Sequence, residues 1–80
     1  DDGVPLGQPA LSLAAKLISR AEKNSLATPT PAEVDDEEAI GEALLQLISG
    51  AVRVNIDPEL ALRKAALRYR DSVLNEQKKN

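Results

Sequence analysis

No cysteine and no histidine occur in this chain of 80 residues. Without cysteine no disulfide can staple the fold. Without either residue the usual zinc sites and the commonest pairs that activate a nucleophile are excluded. Phenylalanine, tryptophan and methionine are absent too, and Tyr69 is the single aromatic residue, which leaves no platform for stacking bases. Positive charge is also short: ten Lys and Arg against thirteen Asp and Glu give a net charge of -3. A nucleic-acid backbone is therefore not an expected partner. No apolar run approaches the roughly 20 residues that cross a bilayer, so a membrane is not expected either. The lack of cysteine fits a reducing compartment, and a cytoplasmic location is the expectation. The chain starts at Asp1 and contains no Met, which predicts a piece of something longer. A domain this small buries only about 60% of the surface that its unfolded chain exposes. With disulfide and zinc excluded, the expected staple is association with another chain, giving a homo-oligomer.

What is present is helical patterning. Residues 1–7 read as an arm, because Gly3, Pro5 and Gly7 oppose regular structure. A single helical domain follows over 8–76, with a polar tail at 77–80. Pro9 suits a first helical position. Ala10, Ala14, Leu17 and Ala21, widened by Leu13 and Ile18, then follow helical spacing, and Asn24 and Ser25 stop a helix predicted over about 9–24. After a linker, Thr30-Pro31-Ala32-Glu33 has the form of a capping box and favours a second helix over 31–54. Asp35 and Asp36 are the competing caps. The second helix carries Ile40, Ala43, Leu44, Leu47, Ala51 and Val54 on one face. Leu45, Ile48 and Val52 extend that face beyond half the circumference, which asks for more than one neighbour.

Asn55-Ile56-Asp57-Pro58-Glu59 is the sharpest punctuation. Asn55 can end a helix in the left-handed conformation, Asp57 can cap the next, and Pro58 can open it. The third helix is predicted over 58–75, with Glu76 to Asn80 fraying. It has two stripes: Leu62, Ala66, Tyr69 and Val73 on one side, and Leu60, Leu67 and Leu74 nearly opposite. The first stripe is expected to pack inside the chain, and the second to form an interface with another.

Two charged groups bear on chemistry. Asp35, Glu38 and Glu42 share a face if the second helix starts at Pro31, and converging carboxylates are a hard-oxygen site of the kind that Mg²⁺ accepts with water and substrate phosphates. The alternative is a solvated acidic first turn favoured by the helix dipole. Lys64 and Arg68, with Arg63 and Arg70, make the third helix basic. They are candidates for holding phosphates, or for pairing loosely with acidic neighbours. Gly41 and Gly50 sit inside the second helix, where each costs roughly 1 kcal/mol relative to alanine, and close approach of another backbone is the expected reason.

Three stretches resemble the MazG family of nucleoside triphosphate pyrophosphohydrolases. Gly3-Val4-Pro5 with Pro9-Ala10-Leu11 and Ala15-Lys16-Leu17 looks like the entry into that family's first helix. Glu37-Glu38-Ala39-Ile40-Gly41-Glu42-Ala43-Leu44 looks like its acidic motif, and Ile56-Asp57-Pro58-Glu59 with Ala61-Leu62-Arg63-Lys64-Ala65 looks like the start of its last helix. The resemblance implies an all-α unit that completes a helical bundle by pairing. It also implies Mg²⁺ held by acidic side chains, and hydrolysis of a nucleoside triphosphate to the monophosphate and pyrophosphate. The chain departs from the pattern in chemistry more than in fold. The family's first acidic motif, Glu-Glu-x-x-Glu, has no counterpart. Ala39 stands where a ligand Glu is usual, Glu42 where a ligand Asp is usual, and Ala66 where an Asn is usual. The expectation is a MazG-like domain that by itself is degenerate and non-catalytic, serving oligomerisation or regulation. The alternative is a magnesium-dependent pyrophosphohydrolase completed by another chain or segment. No catalytic residue is assignable from the sequence.

Overall fold

The computed structural model describes residues 7–79, with side chains through Gln77, and these form an all-α fold of three helices. The expected arm lies almost wholly outside the described residues, as does the Gly3-Val4-Pro5 part of the family resemblance. α1 (Ala10–Lys23) runs parallel to α3 (Pro58–Lys79), and the core lies in the seam between them. Leu13, Leu17 and Ala66 form its centre, with Ala14, Leu67 and Tyr69 packed around them. Ala10 and Ala21 are buried at either end of α1. The buried positions 10, 13, 17 and 21 are the i, i+3, i+7, i+11 stripe of one helix face. α2 (Glu37–Arg53) turns away from α3 by 110° and touches it sparsely. No single helix among the described residues is long and apolar enough to cross a membrane.

The helix ends obey local chemistry. α1 ends in a Schellman motif: Leu26 N–H donates to Ala21 O at 2.9 Å and Ser25 N–H to Glu22 O at 3.2 Å, with Ser25 at φ 55°. α2 ends the same way. Ile56 N–H donates to Ala51 O at 2.9 Å and Asn55 N–H to Val52 O at 3.1 Å, and Asn55 takes the expected left-handed conformation at φ 62°. Asp57 caps α3, its Oδ1 accepting from Glu59 N–H at 2.9 Å and Leu60 N–H at 3.4 Å.

Two boundaries differ from expectation. α2 starts at Glu37, not Pro31, because Asp36 takes the cap: its Oδ1 accepts from Ala39 N–H at 2.8 Å. A short side chain three residues before its donor competes directly with the Thr30 signal, and Glu37 and Glu38 reinforce it at the positive helix end. α3 continues to Lys79 instead of fraying from Glu76. Glu76 reaches back to accept from Ala27 N–H at 3.2 Å, a tertiary tie within that last stretch.

Candidate functional site

The principal concave feature is an apolar groove of about 540 Å³ where the three helices diverge. Leu44, Leu47, Ile48 and Ala51 of α2 form one wall, Pro58, Ala61 and Leu62 of α3 the other, and Leu11 of α1 closes one end. Glu59 is the one charged residue lining it. The groove exists because α1 and α3 are clamped together while α2 is not.

The clamps are polar and long-range. α1 has no side-chain cap of its own, since Pro9 occupies the N-cap position. Glu59 supplies one from α3: its Oε2 accepts from Ala10 N–H at 2.8 Å, a carboxylate at the positive end of a helix. Arg63 Nη2 donates to the same Glu59 oxygen at 3.1 Å and to Gln8 O at 2.6 Å. At the other end the Tyr69 hydroxyl donates to Ala27 O at 2.7 Å. Burial, with the nearby Glu76 and Glu22 carboxylates, holds the Tyr69 phenol above its ordinary value. Both clamps tie residues more than forty positions apart, so no local sequence signal could have announced them. Glu59 reads locally only as an acidic residue near the start of its own helix.

α2 has no such tie. None of its residues is buried. Leu47 is 71% exposed, Val52 68% and Leu45 61%. The apolar arc legible in the sequence is real, and its centre faces the groove. Around Gly41 and Gly50 there is open space: a Cβ added at either meets nothing within 4 Å. Among the described residues the expected close backbone is absent, because neither helix packs over those positions.

The candidate metal ligands separate. Asp35 precedes the cap and lies outside α2. It does not share a helix face with Glu38 and Glu42, because the helix starts later than the shared face required. Glu38 and Glu42 stand one turn apart, exposed. At about 100° per residue they lie on the side of α2 opposite the groove. Among the described residues no three acidic side chains gather closely enough to hold a metal ion. Lys64 and Arg68 are exposed on α3, and no ion pair joins them to the acidic start of α2. Against a magnesium site, the candidate donors among the described residues come to two carboxylates, Glu38 and Glu42, on an open helix face.

The three leucines expected at an interface also divide. Leu60 and Leu74 are exposed, at 46% and 38%. Leu67 instead packs against the Leu13–Leu17–Ala66 cluster. Leu67 lies in nearly the same angular row as Leu60 and Leu74, but it follows Ala66 directly and so stands at the level of the Leu13–Leu17–Ala66 cluster, where α1 reaches it.

No family model matches the chain, and no solved structure matches it. The chain is 50% identical over 72 residues to a protein of Streptomyces cacaoi described as an uncharacterized 26.1 kDa protein in the blaB 3′ region. The matched stretch covers 90% of this chain and 28% of that relative. The shared sequence therefore spans all three helices and little more than a quarter of the relative's length.

Proposed function

We propose that this chain is a helical docking unit, a MazG-like domain that is non-catalytic by itself and serves assembly or regulation in a nucleoside triphosphate pyrophosphohydrolase-type protein. The observation that carries this reading is the state of α2. A helix with an apolar arc over more than half its circumference contributes no buried residue and lines an open apolar groove. Small soluble proteins rarely leave so contiguous an apolar surface uncovered unless something docks there.

A second reading is favoured by one specific placement. Glu38 and Glu42 sit one turn apart and form no ion pair among the described residues. Two carboxylates are what Mg²⁺ uses when a substrate's phosphates supply its other ligands. In that reading another chain or segment brings the remaining acidic and basic groups, and Lys64 and Arg68 stand by for phosphate. Pyrophosphate release separates the two. The docking reading expects none from this chain with mixed nucleoside triphosphates and Mg²⁺. Robust release that disappears in Glu42→Gln contradicts it in favour of the second.

A further inference from the structure

The far end of the α1–α3 seam holds a second, smaller cavity of about 70 Å³, partly open to water. Its walls are aliphatic: Leu17 from α1, Leu26 from the linker, and Val73 and Leu74 from α3. The Schellman motif folds Leu26 back over the end of α1, and the bond from Tyr69 to Ala27 O pins the linker just beyond it. Two guanidiniums line the same cavity, Arg20 from α1 and Arg70 from α3, and no acidic residue among the described residues does. Arg20 makes no ion pair or side-chain hydrogen bond among the described residues. Arg70 pairs with its neighbour Asp71, whose side chain is 63% exposed; Nε and Nη2 share one Asp71 oxygen at 3.3 and 3.1 Å. Among the described residues this leaves the Nη1 donors of Arg70 uncommitted. Glu76 stays outside the lining and is engaged by Ala27 N–H. The carbonyls that end α1 are already bonded, by Asn24, Ser25 and Leu26, which blunts the negative end of that helix. Two cations thus converge on one cavity with a single, exposed counter-charge, and a pair that exposed neutralises little.

We propose that this cavity binds a carboxylate carried on a short aliphatic stub. The carboxylate sits between Arg20 and Arg70, because the planar guanidinium fork matches its two oxygens. The stub lies against Leu17, Leu26, Val73 and Leu74. On a scale of about 30 Å³ per water, the cavity takes one such group and not a nucleotide. Inorganic phosphate fits worse, because its strongly hydrated oxygens would meet aliphatic walls on most sides. The site is separate from the groove beside α2 and from Lys64 and Arg68, and it stands whether or not the docking reading holds. Two sources present this chemistry: a free short-chain carboxylate, and the C-terminal carboxylate of a peptide that ends in an aliphatic residue.

Nuclear magnetic resonance titration of the full chain tests this with acetate, isobutyrate, inorganic phosphate, and an acetylated peptide ending in valine, its C-terminus free or amidated. Isobutyrate should give saturable shifts confined to the Arg20 and Arg70 side-chain N–H groups and the methyls of the four aliphatic walls. It should bind about tenfold tighter than acetate, for two added carbons, and phosphate should not saturate. Arg20→Gln and Arg70→Gln should each weaken isobutyrate at least about tenfold, through loss of a charge-assisted hydrogen bond, while Lys64→Gln leaves it unchanged. The methyl shifts of the unmodified chain locate the site even if Arg70→Gln fails to fold. Tighter binding of the free peptide than of isobutyrate supports the proposal and assigns a chain terminus. Tighter binding of isobutyrate supports it and assigns a free carboxylate. The proposal is overturned if no carboxylate saturates, if phosphate binds as tightly as isobutyrate, or if the amidated peptide shifts the same signals equally. It is also overturned if the shifts centre away from the cavity or persist unchanged in Arg20→Gln.

Discussion

α1 and α2 are similar in length and both are amphipathic, yet they contribute to the fold in opposite ways. α2 carries the greater number of large aliphatic side chains: Ile40, Leu44, Leu45, Leu47, Ile48 and Val52, against Leu11, Leu13, Leu17 and Ile18 in α1. Among the described residues α1 nevertheless supplies four of the five that are buried, and α2 none. The difference lies in the ends. α1 is fixed to α3 at both extremities, by Glu59 and Arg63 at its start and by Tyr69 and Glu76 just beyond its finish. α2 is joined to α3 through a four-residue corner and nothing comparable at its far end. Hydrophobic content sets how much surface a helix must cover. Directional contacts at its ends decide which neighbour covers it.

The comparison breaks most visibly if the seam is cut. Leu13 is fully buried, so Leu13→Ala should cost about 2–5 kcal/mol. In so small a domain that is enough to abolish a cooperative thermal transition followed by circular dichroism. Leu47→Ala, measured on dilute monomer, should change stability by less than about 0.5 kcal/mol, because the side chain covers little. Equal losses from the two substitutions would erase the distinction between seam and open face.

The caps come next in size. Asp57→Ala should cost about 0.5–2 kcal/mol in chemical denaturation, through loss of its two N–H acceptances at the start of α3. The clamp at the far end of α1 is sharpened by Tyr69→Phe, which removes the hydroxyl bonded to Ala27 O and should cost about 0.5–1.5 kcal/mol. It also carries a pH signature. The folded state raises the Tyr69 phenol by burying it and by placing Glu76 and Glu22 near it. The fold thus favours the neutral form, and this contribution is complete below the ordinary phenol range near pH 10. It fades as pH rises through the folded value. Urea midpoints should therefore fall above about pH 10 in the parent and fall less in Tyr69→Phe.

The smallest effect has the opposite sign. Nothing lies within 4 Å of a Cβ at Gly41, so Gly41→Ala should stabilise the monomer by about 0.5–1 kcal/mol through helix propensity. A loss in thermal melts of dilute protein would mean that a backbone does pass there.

Much of this architecture was legible because its signals are local. Asn55 in the left-handed conformation, Asp57 as cap and Pro58 as first residue each act within a few positions, and the stripe through Ala10, Leu17 and Ala21 follows directly from helical period. The start of α2 was misread because two local signals compete, Thr30-Pro31 and Asp36, and sequence does not rank them. The groove was only half legible. The apolar arc of α2 is written in its spacing, but its lack of cover depends on ties between residues more than forty positions apart. The acidic cluster failed for the same reason as the boundary, since moving the start from Pro31 to Glu37 removes Asp35 from the face shared by Glu38 and Glu42.

α1 and α3 form a closed seam by themselves, while α2 buries no residue. Amide hydrogen exchange resolved by helix, followed from nanomolar to high micromolar concentration, tests it most directly. Protection at Leu13 and Leu17 should be high and independent of concentration. Protection at Leu44, Leu47 and Ile48 should be low in dilute protein and rise with self-association. Protection of α2 in dilute monomer equal to that of α1 would contradict it.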